Sequence, residues 1–435
     1  MFPINKNMLD EAMASSGITD MTKATIRQIC SLAALVEDKA SDKFIHLEIG
    51  NPGLPAEIVG VEAECQALRS GVANEYPDIA GIPALKENGS RFVKAFLDVD
   101  INPEGLIPTV GSMQGSCTIM MLLKERDPKK DKMLFINPGF PAQRSQAKLV
   151  GLKEVSFDIY EYRGKKLEAK LEEMMAADDV TGILYSNPNN PAWTNLTEEE
   201  LEIIGRVSKK HDVVVLEDLA YLGMDFRKDF SRPGEPPFVP TVAKYTDEYV
   251  LFLSASKIFS YAGQRIALVG ISNALFNRQF EGLKDFFNIP GFGRAYVFGV
   301  LYAASSGTSH SAQYALAAMM KGAVEGTVNF VESCREYGRR GERVMKIFND
   351  NGFNVVYAID GDQPISNGFF FTAGYGDMTS GELQTELMRY GVSSISLPST
   401  GSEQNGIRVC VSMISDDKDF DTLEERLRAF HKDHQ

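Results

Sequence analysis

Four short apolar runs in the middle of the chain are rich in aliphatic and β-branched residues. They are too short for helices and predict buried parallel strands at Met133 to Ile136, Gly182 to Tyr185, Val213 to Leu216 and Val250 to Leu253. Small, polar or turn-forming residues follow each run at once, as NPGF, SNPNNP, EDLAY and SASK. Because ligands of an open α/β sheet bind at the carboxyl ends of its strands, these four clusters are predicted to converge on one site.

The segments between the runs have helical signals. Thr197 and Glu200 have the spacing of a capping box, and EEELEIIGRVSKK repeats apolar residues at helical intervals. Alternating strands and helices predict an α/β protein of mainly parallel, doubly wound sheet. Beyond about residue 325 the pattern changes to one long charged helix, VESCREYGRRGERVMKIFNDNG, with Gly352 as its stop, and then to short strands in GFFFT and IRVCVSM.

This change of pattern predicts three parts. Residues 46–324 form a large domain, residues 325–435 form a smaller α+β domain, and residues 1–45 form a helical arm that packs with the smaller domain. The loop RKDFSRPGEPPFVP is predicted to be a surface insertion in the large domain and not a linker.

Composition narrows the possible functions of the 435 residues. The net charge of −14 argues against general binding of nucleic acids or anionic membranes, because both would repel the protein. Five widely spaced cysteines without a C-x-x-C pair predict neither a disulfide framework nor a metal site. With no signal-peptide pattern at the N-terminus, a cytoplasmic location is expected.

Several common catalytic signatures are missing. The chain has no P-loop, no G-x-S-x-G elbow and no H-E-x-x-H motif. Gly291 and Gly293 are followed by Tyr296 where a dinucleotide fingerprint requires glycine. Nucleotide-binding, serine-hydrolase, zinc-protease and dehydrogenase functions therefore lose their main support.

The run LFLSASKIFSYAGQR places Lys257 just beyond a predicted buried strand. Partial burial and a nearby cation lower the pKa of such a lysine and make its amine a nucleophile that can form a Schiff base. Ser254 and Arg265 in the same run have the donors that bind a phosphate. A Schiff-base lysine beside a phosphate site suggests the cofactor pyridoxal 5'-phosphate.

The other strand ends carry what this cofactor needs. Asp218 can keep the pyridine nitrogen protonated, and Asn190 and Tyr221 can donate to the phenolic oxygen. Phe140 is an aromatic side chain that can stack on the ring, and GSMQGS resembles a helix N-terminus that binds phosphate. Each residue alone has an ordinary structural explanation as a turn, core or cap residue. Together they point to one cofactor site.

The ordered motifs GNPG, YPDIAGIPALKE, GSMQG, NPGFP, NPNNP, DLAY, SASKIFSYAGQR and GIRVCVSM resemble the class I/II aminotransferases, which belong to the fold type I pyridoxal-phosphate enzymes. The resemblance runs from Gly50 to Met413. It implies that Lys257 forms the Schiff base and moves the substrate proton. It also implies that Asp218 pairs with the pyridine nitrogen, that Asn190 and Tyr221 bond the phenolic oxygen, and that Phe140 stacks on the ring.

The resemblance assigns the remaining ligands as well. The phosphate would be held by Ser254, Arg265, the backbone of Ser112 and Met113, and Tyr76 of a neighbouring subunit, which implies a homodimer with shared active sites. Arg408 would clamp the α-carboxylate of the substrate, with help from Asn190 and the backbone of Gly50.

Two departures from the family pattern concern the substrate. The family usually continues NPTG, whereas this chain has Trp193, its only tryptophan, in place of the glycine. Trp193 either faces the substrate or packs the loop, and packing is slightly favoured. The segment AASSGTSHSAQ lacks the second cation of dicarboxylate-specific members, so a neutral pocket lined by groups such as Tyr185, Trp193 and Phe259 is expected. His310 in that segment is better explained as a helix-start residue.

The expected function is transfer of the α-amino group of an amino acid, with a neutral or aromatic side chain favoured, to a 2-oxo acid such as 2-oxoglutarate by a ping-pong mechanism. A pyridoxal-phosphate-dependent C–S β-lyase, or other chemistry at the α-carbon, is the alternative on the same fold. A non-catalytic regulator that binds the cofactor is less expected, because the residues before GNPG are too few for a DNA-binding domain.

Overall fold

The computed structural model describes residues 2–40 and 42–435. Its helices, in chain order, are α1 (Lys6–Ser16), α2 (Ile26–Ala40), α3 (Ile58–Arg69), α4 (Pro83–Leu97), α5 (Gly111–Arg126), α6 (Pro141–Val150), α7 (Lys166–Met175), α8 (Glu198–Lys210), α9 (Ala255–Ile258), α10 (Asn273–Asn277), α11 (Glu281–Phe287), α12 (Phe292–Ala295), α13 (Tyr302–Ala304), α14 (His310–Val324), α15 (Phe330–Asp350), α16 (Ser380–Arg389) and α17 (Asp417–Asp433). A π-helical stretch, Tyr296–Leu301, joins α12 to α13.

The strands, in chain order, are β1 (Ile45–His46), β2 (Leu106–Val110), β3 (Lys132–Asn137), β4 (Lys153–Asp158), β5 (Val180–Ser186), β6 (Val214–Asp218), β7 (Tyr249–Ser254), β8 (Ile266–Ile271), β9 (Asn354–Val355), β10 (Ile359–Asp360), β11 (Gln363–Pro364), β12 (Phe370–Gly374), β13 (Val392–Ser393), β14 (Ile395–Ser396) and β15 (Ile407–Cys410).

A seven-stranded sheet of order β2-β8-β7-β6-β5-β3-β4 forms the centre of the molecule. The four predicted runs are its strands β3, β5, β6 and β7, which all run parallel. Strand β8 is antiparallel to both of its neighbours, β2 and β7. The prediction of a mainly parallel sheet is confirmed, while β2, β4 and β8 were not among the predicted runs.

Successive residues of the central strands face two different cores. Met133 and Phe135 pack on one side of the sheet with α5, α6 and α11, whereas Leu134 and Ile136 pack on the other side with α4, α7 and α8. Both faces are covered by helices, so the strands are apolar at consecutive positions and not only at alternate ones. This explains why continuous apolar runs identified the buried strands.

Local signals position the helices that follow the strands. The capping box predicted at the start of α8 is present, because Thr197 accepts a hydrogen bond from the Glu200 N–H and Glu200 accepts one from the Thr197 N–H. The long charged helix is α15, and Gly352 lies just beyond its end with φ +82°. Both helix boundaries agree with the prediction.

The last third of the chain forms a second core around a four-stranded antiparallel sheet of order β14-β15-β12-β9. Helices α15, α16 and α17 cover this sheet. The N-terminal helices α1 and α2 pack on Met388 and Ile395 of this part, and β1 pairs with β13. The division into residues 1–45, 46–324 and 325–435 stays our proposed description of these parts.

Two kinds of feature, a membrane-spanning helix and a cluster of metal ligands, are absent from the described residues. No helix in residues 2–40 and 42–435 has both the length and the apolar character needed to cross a membrane. Within the same residues, no three His, Cys, Asp or Glu side chains gather where they could hold a metal ion.

Candidate active site

The candidate site lies where β5, β6 and β7 end side by side. Asp218 is the last residue of β6 and pairs with Ser186 at the end of β5. Ser254 is the last residue of β7, and α9, which contains Lys257, begins immediately after it. Because these parallel strands end at one edge of the sheet, the polar residues that follow them come together, as the sequence predicts.

Lys257 is the buried amine of the site. Its Nζ donates a hydrogen bond to the carbonyl oxygen of Gly50 and lies 5.2 Å from the centre of the Phe369 ring. Burial lowers the pKa of Lys257 to about 8, and the nearby guanidinium groups of Arg408 and Arg265 also lower it. With this pKa, on the order of a tenth of the lysine is a neutral, nucleophilic amine at pH 7, far more than for an ordinary lysine.

Asp218 is a buried carboxylate held by neutral donors. Its Oδ2 accepts a hydrogen bond from Gln143 Nε2 at 2.8 Å, and its Oδ1 accepts one from the Ala220 N–H at 3.1 Å. Burial raises the pKa of Asp218 to about 6, and these two hydrogen bonds only partly oppose that effect. No Lys, Arg or His of the described residues forms an ion pair with this carboxylate, so a cationic ligand group would find an unpaired negative partner here.

Three chain segments meet at a position suited to an anion. Strand pairing sets Val110 opposite Ile266 and Ser254 opposite Ala267, so the start of α5, Arg265 and the end of β7 are neighbours. A methyl group on Gly111 would lie 2.6 Å from Arg265 Nη2, which shows how closely the guanidinium approaches the start of α5.

The donors at this position have the form that phosphate requires. The first backbone N–H groups of α5, including those of Ser112 and Met113, have no partner within the helix because they precede its first turn. Ser254 Oγ accepts a hydrogen bond from the Ser256 N–H at 3.2 Å, which leaves its own O–H proton available.

Arg408 is a fully buried guanidinium on β15, with 1% of its surface exposed. Nη1 donates to Asn190 Oδ1 at 3.3 Å, Nη2 donates to the Glu48 carbonyl oxygen, and the Phe370 ring lies 4.8 Å away. Its Nε has no hydrogen-bond partner among the described residues. Burial lowers the pKa of Arg408. An incompletely bonded buried cation of this kind favours an anionic ligand.

The other predicted residues lie in different settings. Tyr221 is buried against the Phe369 ring at 5.3 Å, and burial raises its pKa well above the usual value. Phe140 is half-buried and caps α6, three residues before Gln143. Tyr76 is 95% exposed on the surface, so it is available only to another molecule.

The expected side-chain pocket is partly wrong. Tyr185 pairs with Glu217 on the face of the sheet opposite to Asp218, because adjacent residues of a strand point in opposite directions. Phe259 packs in the core against Phe92 and Phe330. Neither residue contributes to the site.

The structure agrees with the simpler explanations of two other residues. Trp193 is fully buried and packs the loop after Asn190. His310 is the first residue of α14, as expected for a helix-start residue.

Three contacts made by residues of the site could not be predicted from the sequence. Gln143 lies on α6 and belongs to none of the motifs, yet it is the side-chain donor to Asp218. Phe369 and Phe370 lie in the run GFFFT, which predicted only a strand, and they contact Lys257 and Arg408 respectively. Three consecutive phenylalanines are typical of a strand that is buried on both faces. They do not indicate which ring lies beside Lys257 and which beside Arg408.

Comparisons with known proteins are consistent with this geometry. The family model described as "Aminotransferase class I and II" matches residues 42–427. Nicotianamine aminotransferase 1 of Oryza sativa subsp. japonica is 28% identical over 234 residues, which cover 53% of this chain but only 44% of the rice protein. A probable aspartate aminotransferase of Methanocaldococcus jannaschii is 24% identical over 64% of this chain and 68% of that protein.

Solved structures support the fold. A double mutant of Thermus thermophilus aspartate aminotransferase superimposes with a TM-score of 0.75 at 18% identity, covering 93% of this chain and 96% of that one. Alanine aminotransferase from Pyrococcus furiosus gives a TM-score of 0.74 at 18% identity, with coverages of 96% and 99%. At these identities the likeness establishes the fold alone, and it confirms the predicted fold class.

Proposed function

Because the chain belongs to the class I and II aminotransferases, as its motifs predict, we propose that it is a pyridoxal-phosphate-dependent aminotransferase. It moves the α-amino group of an amino acid to a 2-oxo acid such as 2-oxoglutarate by a ping-pong mechanism. The observation that carries this proposal is the buried amine of Lys257 at the end of β7, whose pKa is lowered to about 8. Such an amine is suited both to covalent attachment of a carbonyl compound and to proton transfer.

The residues present fit pyridoxal 5'-phosphate at both of its ends. At one end, Asp218 is a buried carboxylate without a cationic partner among the described residues, which suits a protonated ring nitrogen. At the other end, Arg265 approaches Gly111 at the start of α5, where free N–H groups suit a phosphate. Lys257 lies in α9, directly after the strand that ends at Ser254.

When bound, this cofactor supplies an electron sink for the charge that develops at the α-carbon of the substrate. The protein supplies the remaining functions. The Nζ of Lys257 takes the α-proton of the substrate and returns it, Asp218 holds a proton on the ring nitrogen, and Asn190 and Tyr221 donate to the phenolic oxygen. Phe140 covers the ring, while Ser254, Arg265 and the backbone of Ser112 and Met113 hold the phosphate.

Arg408 supplies the binding energy and the orientation that all amino-acid and 2-oxo-acid substrates share. We assign to its guanidinium the α-carboxylate of the substrate, with Asn190 as a second contact. A carbonyl oxygen cannot donate to a carboxylate, so any help from the backbone of Gly50 would come from its N–H, while its carbonyl accepts from Lys257. A bidentate pair in a buried setting fixes both the position and the rotation of the substrate.

A neutral or aromatic side chain is the preferred substrate feature. Aromatic rings lie beside the two basic groups of the site: Phe369 is 5.2 Å from Lys257 Nζ, and Phe370 is 4.8 Å from Arg408. Both rings are buried, Phe369 with none and Phe370 with 1% of its surface exposed, so they make the surroundings of these two groups apolar. The segment AASSGTSHSAQ also lacks the second cation that an acidic substrate side chain would need.

We further propose a homodimer with shared active sites. Tyr76 is 95% exposed, and the aromatic residues Phe298 and Tyr302 are also exposed, at 51% and 63%. The segment after α13 lies beside the Tyr76 loop, because a methyl group on Gly307 would lie 3.4 Å from Pro77. Exposed aromatic surface of this kind is typical of an interface between subunits.

A single-turnover spectrum tests the proposal. The holoprotein is mixed with individual amino acids without any 2-oxo acid, and the absorbance of the cofactor is followed while pyruvate and ammonia are assayed. Stoichiometric conversion to the aminated cofactor, reversed by 2-oxoglutarate, is the expected result. Continuous release of pyruvate and ammonia with the original absorbance restored would instead identify a β-lyase.

A further inference from the structure

Trp193 has a backbone conformation that favours glycine. Its φ is +63°, in the left-handed region, at the position where the NPTG pattern carries glycine. A bulky side chain in this region carries backbone strain that glycine does not have. Packing of the indole must therefore offset a backbone cost that glycine would avoid.

The indole of Trp193 fills a space between two distant parts of the chain. Trp193 is fully buried in the loop after β5, and it packs against Gly368, just before β12. A methyl group on Gly368 would lie 1.9 Å from Cε2 of the indole, so only glycine leaves room for it. The indole also contacts the rings of Tyr221 and Phe370 at centroid distances of 5.5 Å and 6.1 Å.

These contacts link Trp193 to Arg408, the residue proposed to bind the α-carboxylate of the substrate, by two routes. Phe370, which the indole touches, lies 4.8 Å from the guanidinium of Arg408. Arg408 in turn donates to Oδ1 of Asn190, three residues before Trp193 in the same loop. The indole thus connects the loop that carries Asn190 to the strand that faces Arg408. Its Nε1–H has no partner among the described residues, so shape and not hydrogen bonding defines its fit.

We infer that Trp193 is a positioning residue. It keeps the guanidinium of Arg408 and the amide of Asn190 at a fixed relative position before the substrate binds. The inference rests on the proposed role of Arg408 as the carboxylate clamp. A preformed clamp loses less free energy on binding than one that must first be assembled from two mobile parts. The gain in binding free energy is the same for every substrate, because every amino acid and 2-oxo acid carries the carboxylate.

A double-mutant cycle between Trp193 and Gly368 tests this inference. In Trp193→Gly the backbone conformation is retained and only the indole is lost, whereas in Gly368→Ala the indole is displaced although it is still present. Each variant is expected to raise KM for amino acid and 2-oxo acid about tenfold or more, with a smaller change in kcat. In the double variant, Gly368→Ala should raise KM no further than Trp193→Gly alone does, because the indole that the new methyl group would meet is no longer there.

Asn288→Gly is the matched control. Asn288 also has a left-handed φ, +57°, but it ends α11 away from the site, so its kinetics should equal those of the wild type. The inference is overturned if KM in Trp193→Gly is unchanged. It is also overturned if kcat/KM changes in opposite directions for small and aromatic amino acids, because that pattern would make Trp193 a wall of the side-chain pocket.

Two readouts do not require turnover. Calorimetric binding of 2-oxoglutarate to the wild type and Trp193→Gly should show the same loss of affinity as the kinetics. Trp193 is the only tryptophan, so its emission reports this contact directly. We expect the emission of a buried indole, inaccessible to acrylamide both with and without the 2-oxo acid. The inference would be overturned if acrylamide quenched the emission in the absence of the 2-oxo acid but not in its presence. Absence of amino transfer in the wild type would refute the proposed function, while binding and emission would still test Trp193.

Discussion

Gln143 donates a hydrogen bond from Nε2 to Oδ2 of Asp218 at 2.8 Å and so joins the first turn of α6 to the end of β6. The remaining oxygen of this carboxylate accepts from the Ala220 N–H. Both donors are neutral, and burial raises the pKa of Asp218 to about 6. The carboxylate is therefore oriented but not neutralised, which is the condition under which a cationic ligand gains the most from it.

Asp218→Asn should abolish most of the amino transfer while the protein stays folded. We expect kcat to fall by about two orders of magnitude or more, because a neutral amide cannot hold the ring nitrogen protonated. Glu217→Gln is the control, since Glu217 is the adjacent buried carboxyl of the same strand but faces the other side of the sheet. Steady-state kinetics of both variants decide the matter, and equal losses would contradict the role of Asp218.

The buried carboxyl of Glu217 should make the cofactor-free protein less stable as the pH rises. Burial raises its pKa to about 7, from an ordinary value of about 4.3, so the folded state binds this proton more tightly than the unfolded state does. Its contribution to the free energy of unfolding therefore declines between about pH 4 and pH 7, by on the order of 3 kcal/mol. Urea denaturation from pH 5 to 8 should show a smaller decline in Glu217→Gln than in the wild type.

Glu200→Gln is a control for that experiment, because the contribution of Glu200 to the free energy of unfolding should change with pH in the opposite direction. Hydrogen bonds from Arg163 hold the pKa of Glu200 below its usual value despite the opposing effect of burial. Its stabilising contribution is present above the unfolded pKa and is lost as the pH falls. Glu200→Gln should therefore be less stable than the wild type at pH 7, and the difference should shrink toward pH 4. Parallel pH profiles for both variants would contradict the assigned directions.

Lys257→Ala should lose covalent attachment of the cofactor and at least about 10⁴-fold of kcat. Lys86→Ala is a matched control, because burial also lowers the pKa of Lys86 to about 8 although this lysine lies on α4. Borohydride reduction followed by peptide mass spectrometry should find the cofactor on Lys257 in the wild type and in Lys86→Ala. Cofactor fixed to any other lysine would refute the assignment.

Arg408→Lys should raise KM for the amino acid and for the 2-oxo acid by about a hundredfold, with kcat reduced less. A lysine ammonium retains the charge but not the two parallel donors that hold a carboxylate. Arg126→Lys tests whether loss of any buried arginine has this effect, since Arg126 is 2% exposed and donates to Thr181 on β5, which belongs to the seven-stranded sheet and not to the sheet that contains Arg408. If Arg408→Lys changed kcat alone, the clamp would be ruled out.

Mixed dimers should reveal a shared active site at Tyr76. Tyr76→Ala is expected to weaken cofactor binding, and Lys257→Ala is inactive for a different reason. In a hybrid of the two variants, one of the two sites combines an intact Lys257 with an intact Tyr76 from the other subunit. Mixing the unfolded variants and refolding them together should therefore restore activity at limiting cofactor. If the refolded mixture were no more active than the two variants refolded separately, Tyr76 would not belong to the active site of the other subunit.

Features of this protein that depend on residues close together in the chain could be predicted from the sequence alone. Apolar runs marked β3, β5, β6 and β7, the Thr197 capping box marked the start of α8, and Gly352 marked the end of α15. The polar residues after the strands converged as predicted, because parallel strands must end at one edge. The motifs also predict the roles of Lys257, Asp218 and Arg408, and these roles stay predictions.

Contacts between side chains that are far apart in the chain could be identified only from the three-dimensional arrangement. The contacts of Gln143 with Asp218 and of Trp193 with Gly368 join residues 75 and 175 positions apart, and no local pattern encodes them. Tyr185 was misplaced for a related reason. A strand buried on both faces is apolar at every position, so its sequence does not reveal which residues face the site, and packing of the helices on either side settles that choice.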